Sequence, residues 1–184
     1  MEAAVIEEWV EQCQNGHTRA YSRVVLAMQQ RILGFLFRMT QNPEWAEEIG
    51  QEVFLRAFQK IHNYDRSKGT FSTWLFRIAR NLCIDQMRKR KGRYASIDDV
   101  EPMAAEQPGP YWNAVDNELE QRIASAVECL EPAYREVFVL REYQNLPIED
   151  VAEIIGRPLG TVKSRLYRAR ALLQTKLAPL LQSN

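Results

Sequence analysis

Apolar residues recur along this chain at steps of three and four, which is the spacing of one face of an α-helix. No stretch alternates convincingly with the period of two that marks a half-buried strand. The pattern therefore predicts an all-α protein. Asn42-Pro43 separates two of the predicted helices, in the N-cap and first-turn positions that these residues favour. The clearest apolar stripe precedes that break and consists of Tyr21, Val24, Met28, Ile32, Phe35 and Met39.

Three further stripes complete the first half of the chain. One covers residues 5–13 and ends at Gly16, and another runs from residue 49 to residue 61. The segment His62–Thr70 predicts a loop, and a fourth helix begins near Phe71. The buried positions expected in that helix are Trp74, Leu75, Ile78, Leu82 and Cys83.

The helical pattern fails in the middle of the chain. Residues 94–117 carry five acidic and no basic side chains, and three prolines interrupt them. We therefore expect a flexible acidic linker over residues 93–117. It would join two small helical domains, residues 1–92 and residues 118–184.

The second domain ends in the pattern of a helix-turn-helix. A short helix covers Ile148–Ile155, Gly156-Arg157-Pro158 forms the turn, and a second helix runs from about Leu159 to Leu177. The buried stripe of that second helix is predicted to be Val162, Leu166, Ala169 and Leu173. Its opposite face is predicted to carry Thr161, Ser164, Arg165 and Arg168, with Lys163 and Arg170 at the margins.

The net charge of zero, from 24 basic and 24 acidic residues, hides two basic patches. Residues 77–93 carry seven basic side chains against Asp85 alone, and residues 157–176 carry six with no acid. A helix face of one sign departs from the mixed signs of a solvated face, so we favour DNA binding over solvation alone. Short hydroxyls and arginines at the start of the last helix suit the base edges of a major groove, and Gly160 leaves room for a phosphate.

Several other functional classes find no support in the residues. His17 and His62 are the only histidines and stand far apart, and no glycine loop cradles a phosphate, so we expect no catalysis, cofactor or metal. Cys13, Cys83 and Cys129 are expected to be reduced and buried. No apolar run would span a bilayer, and the first residues are acidic rather than basic, so we expect a cytoplasmic protein.

Residues 130–170 resemble the fourth conserved region of sigma-70 family factors. In that family this region reads the −35 promoter element and rests on the flap of the RNA polymerase β subunit. Pro132 stands one place later than the family's usual Leu-Pro pair, which affects only the start of a helix. The resemblance is carried by Arg135-Glu136-Val137-Phe138-Val139-Leu140-Arg141 and by Gly160-Thr161-Val162-Lys163-Ser164-Arg165-Leu166-Tyr167-Arg168-Ala169-Arg170. The residues expected to contact the −35 element are Arg157, Gly160, Thr161, Lys163, Ser164, Arg165 and Arg168.

The first half resembles the family's second region at two places. Residues 46–58 are similar to the segment that docks on the clamp helices of the polymerase β′ subunit, although Gly50 stands where the family often has a larger residue. Without the matches on either side, a polar face kept for solubility would be the simpler interpretation. The side chains expected to dock are Glu48, Gln51, Glu52 and Arg56.

Residues 71–85 resemble the family's helix that melts and reads the −10 element. Strand opening needs basic groups that hold phosphates and a place that receives an unstacked base. Tyr64 and Phe76 are predicted as stacking aromatics, whereas Phe71 and Trp74 are predicted to be core. Asn81 offers both a donor and an acceptor to a base edge. The expected −10 contacts are Tyr64, Ser67, Lys68, Arg77, Arg80, Asn81, Arg88 and Lys89.

Two domains with one linker match the plan of the family's extracytoplasmic-function group. The resemblance implies a protein that binds core RNA polymerase and promoter DNA, is held by an anti-sigma factor, and threads its linker toward the active-site cleft. Acidic linker residues there would not bind nascent RNA. A disordered linker without this role explains any single acidic residue equally well. The alternative is an autonomous helix-turn-helix regulator with a sensor or dimerisation domain, which would bind duplex DNA without polymerase.

Overall fold

The computed structural model describes residues 2–94 and 118–181, and every regular element in these ranges is helical. The all-α, two-domain prediction is confirmed. The predicted linker lies outside the described residues, except for residues 93 and 94, which continue a helix. The first domain contains α1 (Glu2–Gln14), α2 (Tyr21–Thr40), α3 (Pro43–Gln59) and α4 (Phe71–Tyr94). The second domain contains α5 (Glu118–Glu128), α6 (Pro132–Phe138), α7 (Ile148–Ile155) and α8 (Leu159–Leu181).

The break between α2 and α3 follows the predicted chemistry. Gln41 adopts a left-handed conformation (φ 56°) that ends α2, and its backbone N–H donates to the Phe37 carbonyl. Asn42 is extended, and its side chain accepts a hydrogen bond from the Trp45 backbone N–H at 2.9 Å. Pro43 occupies the first turn of α3, where its missing N–H has no helical partner to lose.

The core of the first domain lies between α2, α3 and α4. Apart from half-buried Tyr21, the predicted stripe of α2 is fully buried. The rings of Phe35 on α2 and Phe76 on α4 meet edge to face, with centroids 5.8 Å apart. Aromatic rings in this arrangement contribute packing beyond the apolar area that they bury.

A buried carboxylate on α1 ties the loop between α3 and α4 to the rest of the domain. Glu7 is 8% exposed. It accepts hydrogen bonds from the Tyr64 hydroxyl at 2.7 Å and from the Phe71 backbone N–H at 2.8 Å. At the last residue of α1, the Gln14 side-chain amide donates to the carbonyls of Ile61 and Tyr64, both at 2.8 Å. The loop therefore takes its shape from a helix about 50 residues earlier in the chain.

The helix-turn-helix of the second domain forms where it was predicted. α7 ends at Gly156, whose left-handed backbone (φ 63°) favours glycine, and α8 begins three residues later. Val151, Ile154 and Ile155 are the buried residues of α7. The four predicted stripe residues of α8 are buried and pack this helix against α6 and α7. α8 extends to residue 181, one turn beyond the predicted end.

The cysteine prediction is correct at two positions and wrong at the third. Cys13 and Cys83 are buried, whereas Cys129 is exposed because it lies just beyond the last residue of α5. Burial, and then the neighbouring Glu136 carboxylate, raise the pKa of the Cys83 thiol to about 12. Thiol reagents should therefore reach Cys129 first.

Glu7→Ala should lower the free energy of unfolding by about 2–4 kcal/mol, because two buried donors lose the carboxylate that accepts from them. Urea denaturation followed by circular dichroism measures this loss. Glu8→Ala removes an exposed carboxylate from the same helix and serves as the matched control. Equal unfolding midpoints for the two variants would contradict the structural role of Glu7.

Candidate promoter and polymerase interfaces

The solvent side of α8 carries the side chains predicted to read duplex DNA. Lys163, Ser164 and Arg168 are exposed, while Thr161 and Arg165 are half-buried at the edge of the stripe. Gly160 in the first turn of α8 and Arg157 in the preceding turn are also exposed. The Ser164 hydroxyl donates to the Thr161 carbonyl at 3.0 Å, which leaves its oxygen free to accept. Because the buried stripe fixes the helix, this basic face has a defined orientation.

Tyr167 was missed as a member of the same face. Its side chain is 76% exposed, the largest value among the exposed large apolar and aromatic residues that the structure describes. It follows Ser164 by three residues, so the two side chains are neighbours on the helix surface. The helical spacing that identified Ser164 would also have identified Tyr167.

The predicted −10 residues of α4 fall on the side of the helix away from its core. Arg77, Asn81, Arg88 and Lys89 are exposed, and Arg80 is half-buried. Arg80 Nη1 donates to Asn81 Oδ1 at 3.3 Å, which leaves the Asn81 amide nitrogen as an available donor. Asn81 can therefore present a hydrogen-bonding edge beside two basic groups.

The loop before α4 forms a small polar pocket of about 90 Å³. Asp65 shapes the loop by accepting from the Ser67 backbone N–H at 3.0 Å and from the Ser67 hydroxyl at 2.7 Å. These bonds, together with Lys68 at 3.4 Å, hold the pKa of the exposed Asp65 carboxyl below its usual value. Ser67 therefore holds the shape of the loop while it remains exposed. The pocket is lined by Asn63, Tyr64, Asp65, Lys68, Gly69, Thr70, Trp74, Arg77 and Glu153.

The prediction of stacking aromatics is contradicted by burial. Tyr64 is 7% exposed, with its ring edge to face against Phe71 and its hydroxyl bonded to Glu7, and Phe76 is fully buried. Burial and the Glu7 carboxylate raise the pKa of Tyr64. Trp74, predicted to be core, is instead half-buried and lines the pocket. Trp74 is therefore the more exposed of the two aromatic residues that line this pocket, although its ring also packs against Tyr64 and Phe71.

The predicted docking face lies on α3. Glu48, Gln51 and Arg56 are exposed, and Glu52 is half-buried. Arg56 Nε donates to Glu52 Oε1 at 2.5 Å, an ion pair of residues one turn apart. The four side chains thus form one polar strip with a fixed order of charges.

An open groove of about 500 Å³ borders this polar strip between α2 and α3. Gly50 contributes to it because a Cβ there would lie 2.7 Å from Leu33 Cδ2, so a larger residue would have to displace Leu33. Gly50 therefore allows α2 and α3 to approach closely beside the residues predicted to dock. The groove is lined by Val25, Gln29, Leu33, Glu47, Gly50, Gln51 and Phe54.

The described residues contain neither a metal centre nor a membrane span. No cluster of three or more histidine, cysteine, aspartate or glutamate side chains in these ranges could hold a metal ion. Likewise, none of the helices in the described part of the chain has the length and apolar character needed to cross a bilayer.

Two family models match the chain. The model of sigma-70 region 2 matches residues 24–93, and that of sigma-70 region 4 matches residues 120–173. Among curated proteins, the ECF RNA polymerase sigma factor SigW of Bacillus subtilis is 34% identical over 96% of this chain and 98% of its own length. The RNA polymerase sigma-H factor of Pseudomonas aeruginosa is 32% identical over 96% of this chain and 95% of its own.

Solved structures agree with this likeness. The sigma factor RpoE from Bartonella quintana, crystallised with the anti-sigma factor NepR, is 26% identical with a TM-score of 0.68, over 86% of this chain and 96% of that one. CnrH, solved with the cytosolic domain of CnrY, has a TM-score of 0.67 over 97% and 99% of the two chains and, at 24% identity, supports the fold alone. A basic helix-turn-helix joined to a second helical domain is the plan of a transcription initiation factor. The chain belongs to the sigma-70 family, in its extracytoplasmic-function group, whose members are not enzymes.

Proposed function

We propose that this chain binds core RNA polymerase and directs it to promoters by reading a −35 element with α8 and a −10 element with α4 and its preceding loop. The observation that carries the proposal is the α8 face, whose exposed charged side chains are all basic above a buried apolar stripe. Domain boundaries at residues 1–92, 93–117 and 118–184 belong to the same proposal.

A run-off assay tests this function directly. Core polymerase with and without the protein would be offered a promoter library, and the transcripts would be mapped to find the elements that they share. Specific transcripts only when the protein is present would support the proposal. Tight, specific duplex binding without polymerase, together with no effect on transcription, would favour the autonomous regulator instead.

The proposal also covers where the protein acts, whether it is a catalyst and which kind of protein regulates it. We propose that the protein acts in the cytoplasm, without cofactor or metal, and leaves catalysis to the polymerase. The 26% identical RpoE was crystallised with an anti-sigma factor, and this likeness supports an anti-sigma partner for the present chain. Its identity would follow from affinity capture and mass spectrometry.

Arg165→Ala and Arg168→Ala should each reduce transcription about tenfold at promoters with an intact −35 element, because a bidentate arginine–guanine contact contributes about 1–3 kcal/mol. Run-off yields with intact and scrambled −35 elements measure the difference. Arg122→Ala changes a basic residue outside α8 and serves as the control. An equal loss on both templates would exclude base reading by these arginines.

Exchanging the charges of the α3 ion pair with Glu52→Lys and Arg56→Glu should weaken association with core polymerase by about tenfold. The exchange keeps an ion pair one turn apart, so α3 stays intact while the charge order facing the partner is reversed. Co-purification and fluorescence anisotropy would measure the affinity, with the same exchange at exposed Glu11 and Arg19 (Glu11→Lys and Arg19→Glu) as the control of equal net charge. Unchanged affinity would remove the docking assignment.

Asn81→Ala should change which base is preferred in the −10 element, because only the amide offers both a donor and an acceptor to a base edge. Run-off yields across templates with single −10 substitutions measure this preference. Asp85→Ala, exposed one turn later on α4, should leave the order of preference unchanged. A uniform loss for Asn81→Ala across all templates would assign it to positioning of the strand.

A further inference from the structure

Two side chains of α1 reach across the first domain to the loop before α4. Glu7 and Gln14 are seven residues apart, which is close to two helical turns, so they lie on the same face of α1. Gln14 donates to the carbonyls of Ile61 and Tyr64, and Glu7 accepts from the Tyr64 hydroxyl. Tyr64 is therefore held at two points, by its backbone carbonyl and by the tip of its side chain.

The Tyr64 hydroxyl also supports the rim of the pocket beside α4. Its oxygen lies 2.7 Å from Glu7 Oε2 and 3.0 Å from the Gly69 carbonyl oxygen. A hydroxyl has one hydrogen to donate and a carboxylate is the stronger acceptor, so the bond to Glu7 is the principal one. Gly69 itself has a φ of 144°, which other residues rarely adopt. Because Tyr64 and Gly69 both line the pocket, its rim depends on the place where Glu7 holds Tyr64.

The other oxygen of Glu7 holds the first residue of α4. Oε1 accepts from the Phe71 backbone N–H at 2.8 Å, and this N–H has no partner within the helix. A carboxylate at this end also matches the positive end of the helix dipole. One buried carboxylate therefore fixes both the loop and the start of the helix that follows it.

Trp74 takes its position from the two residues that Glu7 holds. The centroid of the Trp74 ring lies 5.7 Å from that of Tyr64 and 5.4 Å from that of Phe71. Tyr64 and Phe71 in turn meet edge to face, with centroids 5.4 Å apart. Since Trp74 lines the pocket, a shift of either neighbouring ring would move the pocket wall.

The two α1 side chains act from outside the pocket. Neither Glu7 nor Gln14 is among the residues that line it. A base in the pocket would contact residues such as Gly69 and Trp74, and these would already be in place. A site that is ordered before its ligand arrives binds more tightly, because the ligand does not have to order it.

We propose that Glu7 and Gln14 are positioning residues for recognition of the −10 element. They hold the rim and the wall of the pocket in the arrangement that receives an unstacked base, although they do not touch DNA themselves. The inference rests on the proposed function, since it concerns the site where that function places the base. It adds α1 to the parts of the chain that read the promoter.

Run-off transcription by the reconstituted holoenzyme tests this role. Two templates are compared, one with an intact −10 element and one with a single −10 base replaced, and the protein is added in excess over core polymerase. The ratio of the two yields measures −10 recognition. A variant that only folds less well loses yield on both templates alike and keeps the ratio, whereas a variant with a displaced pocket has a lower ratio.

Tyr64→Phe removes the hydroxyl that Glu7 holds, and Gln14→Ala removes the amide that holds the Tyr64 carbonyl. Each should lower the ratio about fivefold, because the pocket must then be ordered as the base enters. Glu8→Ala and Asn15→Ala remove an exposed carboxylate and an exposed amide beside the two residues, and both should keep the wild-type ratio. A wild-type ratio for Tyr64→Phe would overturn the role of Glu7, and one for Gln14→Ala would overturn that of Gln14.

Glu7→Gln separates the hydrogen bonds from the charge. The glutamine oxygen can accept from the Phe71 N–H, and its amide can donate to the Tyr64 oxygen, whose hydrogen then turns to Gly69. We expect Glu7→Gln to keep the ratio within about twofold of the wild type and Glu7→Ala to lower it about tenfold. Adding Tyr64→Phe to Glu7→Ala should cause no further loss, because both changes act through the same contact. A loss in Glu7→Gln as large as in Glu7→Ala, or additive losses in the double variant, would overturn positioning through Tyr64.

The wild-type protein separates this inference from the proposed function. If its transcription depends on the −10 element and the variants keep its ratio, the positioning role alone is wrong. If the wild-type protein directs no transcription from any template, the proposed function is wrong and the positioning role with it.

Discussion

The ion pair between Arg80 and Glu136 determines how the two domains meet. Both groups are largely removed from water, so each stabilises the charge of the other, and neither is favourable alone. Once this pair is formed, helical spacing brings Arg77 and Thr73 to Glu153 and Asp150 along the same side of α4. The position of the second domain thus depends on these side chains of α4, together with the contacts that Arg31, Arg38 and Gln41 make beside α2.

α4 serves two requirements at once. Its inner side supplies buried Phe71, Leu75 and Phe76 to the core, and this packing fixes the rotation of the helix about its own axis. The direction in which Arg77 and Arg80 leave the helix backbone is therefore fixed as well. A basic group held in a fixed direction can bind a carboxylate of the same chain with little further ordering, as Arg77 and Arg80 do.

Helical periodicity was sufficient to predict the helices, the helix-turn-helix and the inner and outer faces of α8, because these depend on residues three or four apart. Periodicity failed where burial or pairing depends on a residue far away in the sequence. Tyr64 lies in a polar loop, and its burial depends on the Glu7 carboxylate, 57 residues earlier, and on the ring of Phe71. The pairing of Arg80 with Glu136 spans 56 residues, and no local pattern indicates it. Cys129 was misjudged because the sequence does not show that α5 ends at Glu128, one residue before it.

The boundaries of the matched family region do not coincide with those of the folding unit. The region 2 match begins at residue 24, whereas α1 ends at Gln14 and supplies the hydrogen bonds that shape the pocket beside α4. A fragment cut at the start of the match would keep α4, which carries the residues proposed to contact DNA, but would lose the hydrogen bonds from α1 that support the loop before it. A chimera that exchanges this domain between relatives should therefore include α1, although α1 lies outside the matched segment.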